Sequence, residues 1–457
     1  MPVRRSLCWI RRDLRLTDHA ALSLATQESD QVAVVFVFDR LILDQLQDKD
    51  DKRLTFIHDS LREVDEKLRM LGSRLIVLDG NPAELIPWLA EQLEVESVYV
   101  NGDVEPYALE RDAKVRQALR EEGIQSKFVK DHVVFARREI LNGSGEPFKV
   151  FTPYSKAWKA KLNDDDIREH KVDQSKFWAA DSLPAGTQLP RIEELGFERS
   201  ELWLEAGESA ARERLARFAP GIEAYGDTRD LFGIEGTSGL SVHLRHGTIS
   251  IRECVREAIR AQDPKEKWLN ELIWREFYQM ILSEFPHVVG GSFKPECDAI
   301  TWPGSKEHFE AWCTGQTGFP VVDAAMRCLV QTGWMHNRLR MITAMFLTKD
   351  LLVDWRKGEE FFSRYLLDFD LASNNGGWQW SASTGVDAQP YFRIFNPILQ
   401  SKKFDPAGEF IRKWCPELSE LDSEAIHWPH PGAPDGYPDP IVDHKVQSAL
   451  AQALFKN

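Results

Sequence analysis

The sequence predicts an α/β domain followed by an all-helical one, and three observations lead there. Short β-branched apolar runs alternate with helical periodicities through the N-terminal part of the chain. From residue 201 onward, apolar residues recur every three or four positions. Between the two lies a polar, proline-punctuated stretch with neither period.

The strand-like runs are Ser6–Ile10, Val32–Phe38, Arg74–Leu78, Ser97–Val100 and Ser126–Val129. Helical patterns at Leu54–Leu71, Pro82–Leu93 and Ala108–Glu122 separate them. Strand, helix, strand in this order means a parallel sheet covered on both faces, a Rossmann-like architecture over residues 1–132. No G-x-G-x-x-G follows any of these strands, so the dinucleotide fingerprint is missing. Residues 133–200, with the acidic run Asp164, Asp165, Asp166 and the turn-rich Leu183–Pro190, read as a long linker. Helices are expected at Ser209–Phe218, Ile251–Ala261, Lys267–Glu284, Phe319–Thr332, Met335–Asp350 and Glu359–Leu366, within an all-helical domain spanning 201–457. The proline- and glycine-rich stretch His427–Pro440 must be irregular.

Composition narrows the function classes. With 57 Lys and Arg against 72 Asp and Glu, the formal net charge is −15, which excludes a basic nucleic-acid coat. The six cysteines are scattered without a C-x-x-C pair, so neither a metal site nor a disulfide framework is suggested, and a reducing cytoplasm fits. Met1–Arg5 runs quickly into Arg11, Arg12 and Asp13 with no apolar signal core, and no apolar stretch is long enough for a membrane span. A soluble monomer is expected. Of 15 tryptophans, ten lie from Trp268 onward, a concentration of the side chain best suited to stacking on bases and giving up an electron.

Four constellations carry chemistry. In Lys267–Glu284, Glu271, Trp274, Arg275 and Tyr278 share one helical stripe, while Leu272, Ile273, Phe277 and Ile281 form the apolar one. This is either a solvated face with a Glu271–Arg275 pair or the wall of a pocket for a planar, hydrogen-bonding ligand. In Met335–Asp350, Asn337, Arg340, Met341 and Ala344 share a face, with Arg338 beside them. Thr237, Ser238, Gly239, Leu240 and Ser241 precede the helical-looking Val242–Leu244, as an ordinary N-cap or an anion site; Arg229 and Tyr225 upstream favour phosphate or flavin. The densest run is Asp368 to Trp380, where Gly376 and Gly377 let backbone approach a flat ligand. If this run is helical, Trp378 and Trp380 diverge by about 200° and face different partners.

The strings W-I-R-R-D-L-R-L (Trp9–Leu16), T-S-G-L-S (Thr237–Ser241), E-L-I-W-R-E-F-Y (Glu271–Tyr278), G-W-M-H-N-R-L-R-M (Gly333–Met341), N-N-G-G-W-Q-W (Asn374–Trp380) and Y-F-R-I-F-N-P (Tyr391–Pro397) resemble the DNA photolyase and cryptochrome family, nearest its class I cyclobutane pyrimidine dimer photolyases. The resemblance spans nearly the whole chain. It implies an antenna-chromophore α/β domain, a linker, and a helical domain that binds FAD.

By that resemblance, Tyr225, Thr237, Ser238, Gly239, Leu240 and Ser241 hold the FAD phosphates and ribityl, while Asp368, Phe369, Asp370 and Asn374 approach the isoalloxazine. Arg275, Asn337 and Arg340 complete the cofactor set, with Arg340 paired to Asp368. Asn374 falls where the family contacts flavin N5, and its neutral carboxamide suits a reduced FADH⁻. Glu271, Trp274, Arg275, Tyr278, Asn337, Arg338, Met341 and Trp380 match the dimer pocket, with Trp274 and Trp380 sandwiching the pyrimidines. Arg229, Arg393 and Gln400 fall where the family touches DNA. The implied activity is light-driven repair of pyrimidine dimers in ultraviolet-damaged DNA: excited FADH⁻ donates an electron to the flipped-out dimer, the cyclobutane ring splits, and the electron returns. Trp378, Trp355 and Trp302 match the relay that photoreduces resting flavin. The stretch Gly318–Lys413 holds twelve Lys or Arg against ten Asp or Glu, so a local positive face survives in an acidic protein.

The second chromophore stays open. Asp103, Val104, Glu105, Pro106 and Tyr107 lack the Asn-Glu pair used for methenyltetrahydrofolate and, with Phe38, Asp39, Lys52 and Arg53, look nearer the 8-hydroxydeazaflavin type. His19 replaces a common asparagine of the first motif. The rival function is a cryptochrome-type blue-light photoreceptor, against which stand Asn374, the dimer wall and an end 17 residues after Pro440. A (6-4) photolyase would carry histidine near Asn337 and Met341, and a simple flavin electron carrier would not need Glu271, Trp274 and Trp380.

Overall fold

Five strands form where the apolar runs place them: β1 Arg5–Trp9, β2 Gln31–Asp39, β3 Leu75–Gly80, β4 Ser97–Asn101 and β5 Gln125–Val129. They make one parallel sheet in the order β3-β2-β1-β4-β5. Leu7, Trp9, Ala33, Val35 and Val98 face one buried layer, and Cys8, Ile10, Val34, Phe36 and Tyr99 face the other. Because both faces are covered, these strands read as unbroken apolar runs. From β3 the chain crosses back over β2 and β1 to β4, so the winding reverses at β1, which opens a crevice beyond the carboxyl ends of the strands.

A computed structural model describes residues 3–456. Met1, Pro2 and Asn457, at the ends of the expected 1–132 and 201–457 spans and of the segment read for a leader, lie outside the described residues. Chain contacts define two compact units: Met1–Pro147 with Tyr154–Glu223 and Ser238–Ser283, and Phe148–Pro153 with Ala224–Thr237 and Glu284–Asn457.

In the first unit, the expected helices form at Lys52–Met70, Pro82–Gln92 and Pro106–Glu121, two of them opened by side-chain caps on Asp51 and Asn81. A further helix, Ala20–Glu28, starts at His19, whose Nδ1 accepts from Leu22 N at 3.1 Å. That imidazole does the capping work an asparagine would do. Helices Glu208–Phe218, Ile251–Arg260 and Lys267–Glu284 also belong to this unit. The polar stretch read as a linker holds a helix, Phe151–Lys161, and adheres to the sheet. Trp178 N donates to Val32 O at 2.9 Å, Val77 N to Thr187 O at 2.9 Å, and Arg74 Nη1 to Thr187 Oγ1 at 2.9 Å.

The second unit is helical, with Lys306–Cys313, Pro320–Thr332, Asn337–Met345, Trp355–Tyr365, Leu371–Ala382, Pro397–Phe404, Glu409–Trp414 and His444–Leu454. Trp312, Phe319, Met326, Leu339, Phe346, Trp355, Phe362 and Trp378 fill its core. The single helix expected over Met335–Asp350 begins at Asn337, capped by His336, and widens into a π-turn at Phe346–Asp350. The one expected at Glu359 begins a turn earlier, at Trp355, where Asp354 accepts from Arg356 N at 3.0 Å.

Candidate functional site

On the Lys267–Glu284 helix, Leu272, Ile273, Phe277 and Ile281 are buried, whereas Glu271, Trp274, Arg275 and Tyr278 keep partial access to solvent. The helix therefore has a second stripe that its own packing does not consume. Trp274 meets Tyr278 at 5.4 Å and Phe277 edge-on at 5.6 Å, which fixes the indole plane. Arg275 Nη1 donates to His132 O at 2.6 Å, tying the guanidinium to backbone within this unit. One turn position away, Glu276 is wholly buried and accepts from Val134 N at 2.7 Å, Phe135 N at 3.1 Å and Trp158 Nε1 at 2.6 Å. Burial pushes its carboxyl up to about 7 against the pull of those donors. Sequence reading passed over Glu276, although a carboxylate set among Leu272, Ile273, Phe277 and Met280 was itself a signal.

The hydroxyl-rich motif is also set by backbone geometry. Gly239 has φ +60°, a left-handed conformation that favours glycine, and a methyl there would displace the Arg214 guanidinium. The helix it leads into, Ser241–His246, is capped by Leu240 with no side-chain hydrogen bond. The ordinary N-cap reading of this motif thus fails: among the described residues, Thr237, Ser238 and Ser241 do not cap the helix. Ser238 Oγ accepts weakly from Leu240 N at 3.4 Å.

In the second unit, Tyr225 is buried and the Arg229 guanidinium lies 5.5 Å from its ring centre. Arg340 Nη2 donates to both carboxylate oxygens of Asp368, at 2.8 and 3.1 Å. This is the expected pair. Asp370 is the N-cap of Leu371–Ala382, accepting from Ser373 N at 3.0 Å. Asn374, one turn in, is 9% exposed and donates from Nδ2 to Glu359 O at 3.1 Å. Phe369 packs against the core from its edge. Trp378 and Trp380 do diverge: Trp378 is buried against Trp312 and Phe362, and Trp380 is partly exposed.

Trp355 is fully buried, and the Trp355 and Trp378 Nε1 atoms have no acceptor among the described residues. Trp302 is partly exposed and meets Phe455 edge-on at 6.0 Å. Among the DNA-facing candidates, Arg338 is held by Asp230 at 2.9 Å and lies 4.5 Å over Phe404, while Asn337 is exposed with Nδ2 3.8 Å from Met341 Sδ. Arg393 is exposed and Gln400 half-buried.

At the carboxyl ends of the strands, Arg12 binds Asp103 at 3.1 Å and Glu105 at 2.9 Å, and Arg245 binds Glu105 at 2.5 Å. Burial pushes the Asp103 carboxyl up, but Arg12, His132, Arg11 and Arg245 together outweigh it and hold it far below the usual range. Tyr107 OH donates to Asp39 at 2.5 Å. Beside this lattice lies a cleft of about 350 Å³, whose lining includes Asp103, Val104, Lys130, His132, Glu276 and Met280.

Residues 6–174 match the DNA photolyase family and residues 268–457 the FAD binding domain of DNA photolyase. A deoxyribodipyrimidine photo-lyase of Synechococcus sp. is 41% identical over 98% of this chain and 96% of its own length. This chain belongs to the DNA photolyase family. Among solved structures, a class III photolyase from Agrobacterium tumefaciens superposes with TM-score 0.90 at 31% identity, covering 100% of this chain and 98% of that one. An archaeal photolyase from Sulfolobus tokodaii, solved with two FAD molecules, gives 0.87 at 34% identity, over 99% and 100% of the chains. A Synechocystis cryptochrome gives 0.86 at 26% identity, again over 99% and 100%. Within the second unit, the Arg340–Asp368 pair and the fixed carboxamide of Asn374 are groups that fit an FAD, the cofactor of the matched domain. No described helix is long and apolar enough to cross a membrane, and no described cluster has the makings of a metal site.

Proposed function

We propose that the protein is a deoxyribodipyrimidine photo-lyase, which repairs cyclobutane pyrimidine dimers in ultraviolet-damaged DNA under blue light. One observation carries this reading: Glu271, Trp274, Arg275 and Tyr278 stay accessible on a helix whose apolar stripe is fully buried. A merely structural helix has no use for a fixed indole, a phenol and a carboxylate in one row.

FAD, when bound in its reduced form, supplies the electron that light drives into the dimer. Tyr225, Thr237, Ser238, Gly239, Leu240 and Ser241 bind its phosphates and ribityl, with Arg275, Asn337, Phe369 and Asp370 as further contacts. Arg340 and Asp368 lock each other beside the ring, and Asn374 presents a neutral amide that neither adds nor removes a proton there. Trp274 in the first unit and Trp380 in the second each offer an indole face to a pyrimidine. Glu271 hydrogen-bonds a base edge, and Arg229, Arg338, Met341, Arg393 and Gln400 meet the DNA around it. Trp378, Trp355 and Trp302 pass electrons inward from the more exposed Trp302.

Residues 1–132 serve as the antenna domain, 133–200 as the connector and 201–457 as the flavin and repair domain. The second chromophore is of the 8-hydroxydeazaflavin type or methenyltetrahydrofolate; a cleft of this size, rimmed by charge and floored by apolar side chains, suits an aromatic ligand. The protein works as a cytoplasmic monomer, in keeping with six free cysteines.

The test is to mix photoreduced protein with ultraviolet-damaged oligothymidine and follow thymine absorbance. Recovery under blue light and none in darkness is the expected result. No recovery with fully reduced FAD bound would favour the cryptochrome-type photoreceptor.

A further inference from the structure

Glu359 stands at the crossing of two helices and serves both of the asparagines that follow Ser373. Its backbone carbonyl accepts from Asn374 Nδ2 at 3.1 Å, and its side-chain Oε1 accepts from Asn375 Nδ2 at 3.1 Å. The hydrogen-bonded row continues inward. Asn375 Nδ2 also donates to Val288 O at 2.9 Å, its Oδ1 accepts from Gln379 Nε2 at 2.9 Å, and Gln379 Oε1 accepts from Phe293 N at 2.7 Å. Every amide in this row has its orientation set by its neighbours, and only Glu359 in it can change charge.

The position is also adjacent to the tryptophans. Glu359 is one turn beyond Trp355 and follows Gly358, whose missing side chain makes room for the Trp378 indole. A carboxyl that merely anchored a helix could point to solvent from this amphipathic element. Instead it is turned inward, onto the helix that carries Asn374.

We propose that Glu359 is a positioning residue of the flavin site, holding the Asn374–Asn375 pair through its carbonyl and its carboxyl oxygen and taking up a proton from water when FAD is reduced there. This rests on the assignment of Asn374 to the flavin made above. An electron delivered to a buried site raises its negative charge, and the least expensive compensation is protonation of a nearby carboxylate already close to balance. The electrode supplies two electrons and solvent two protons, one for the flavin and one for the Glu359 carboxylate, so FAD becomes FADH⁻ with charge and atoms balanced. Reciprocity then requires that the carboxyl's protonation shift the reduction equilibrium by the same factor.

The surroundings favour such a response. Burial pushes the Glu359 carboxyl up to about 7, opposed by the Asn375 amide and by Arg356. Arg356, on the same helix, also pairs with Asp298 and Asp354. The Leu371–Ala382 helix has no charged residue, and neither has Val288–Phe293, with His287 exposed beside it. On the π-turn packed against both helices, Lys349 donates to Ala382 O and Asp350 pairs with His444. On Asn337–Met345, Arg340 is engaged by Asp368. The charge balance at Glu359 is therefore set by burial against the Asn375 amide and one guanidinium.

The experiment compares the full-length FAD-loaded protein with Glu359→Gln and Glu359→Ala. Gln keeps an oxygen to accept from Asn375 but cannot titrate. The reduction equilibrium of bound FAD, measured at an electrode from about pH 6 to about pH 8.5, should change at least about fivefold more across the window in wild type than in Glu359→Gln. Infrared difference spectra on reduction above pH 7 should show a protonated-carboxyl band in wild type that Glu359→Gln lacks. Glu359→Gln should retain FAD about as well as wild type, and Glu359→Ala should retain it less well than Glu359→Gln. Identical pH profiles in wild type and Glu359→Gln, or no carboxyl band, would overturn the proton-uptake role. FAD retention by a folded Glu359→Ala equal to wild type would overturn the positioning role. A wild-type protein that takes up no FAD would instead remove the functional reading, and this proposal with it.

Discussion

At position 374 a carboxamide and a carboxylate would differ little in shape and fully in charge. Asn374 is buried and its Nδ2 is engaged by Glu359 O. Asn374→Asp would turn a donor into a second acceptor against that carbonyl and add a charge near Glu359. It should make reduction of bound FAD harder by about 1–3 kcal/mol, read as a lowered midpoint at an electrode; an unchanged midpoint would argue that the side chain does not face the flavin. Glu271 is a different case, partly accessible on its helix and proposed above to meet substrate. Glu271→Ala should lower the repair rate by about tenfold or more while leaving FAD content and absorbance spectrum intact, the loss expected for one hydrogen bond from a charged group. Equal loss of FAD and repair would assign Glu271 to the cofactor instead.

Where helices meet, small residues set the spacing. A methyl on Gly358 would overlap Trp378 Cη2 and Cζ3 and Leu347 Cδ2. Gly358→Ala should cost about 1–3 kcal/mol, lower the Tm by about 2–4 °C and slow photoreduction, because the displaced indole belongs to the proposed relay. Normal photoreduction in a destabilised variant would separate Trp378 packing from electron transfer. This contact also shows what sequence can and cannot disclose. The five strands were legible because burial on both faces leaves an unbroken apolar signature in each run. The accessible stripe at 271, 274, 275 and 278 was legible because helical spacing converts directly into a face. The Leu371–Ala382 helix was hidden by Gly376 and Gly377, whose low helix propensity is overridden by packing against Trp355–Tyr365. Glu359 was invisible as a site residue, since its neighbours Asn374 and Asn375 lie on another helix. The adherence of the connector to the sheet was hidden too, because it depends on backbone groups that carry no sequence signature.

Over the whole molecule, buried carboxyls and buried histidines pull the response to pH in opposite directions. Burial pushes Glu276 and Glu359 up to about 7, and Asp350 and Asp405 up to about 6. A carboxyl raised on folding contributes stability that is full below its unfolded value, near 4.5 for Glu and 3.8 for Asp, and lost as pH rises through 6 and 7. Asp13 runs the other way: burial raises it, but His19 and other partners win and hold it at about 2, so its stabilisation is lost only in strong acid. The net charge of −15 adds self-repulsion on the alkaline side. Buried histidines oppose the raised carboxyls: burial holds His132 and His336 at about 4 and His243 at about 3, so their stabilisation is present above about 6.5 and lost as pH falls. Calorimetry should therefore find Tm falling less from about pH 5 to about pH 8 in Glu276→Gln than in wild type, and identical pH dependence would contradict the Glu276 assignment. The backbone bond from Val77 to Thr187 has a consequence for how the protein is made. Strand β3 lies at the margin of the sheet, and the segment that covers it arrives late: Arg74 and Thr187 are 113 residues apart. During synthesis the nascent chain exposes an unpaired apolar strand until that segment emerges, a period in which ribosome-bound neighbours could add strands of their own. The connector is thus a selvedge, finishing the fabric of the sheet after the weaving is done.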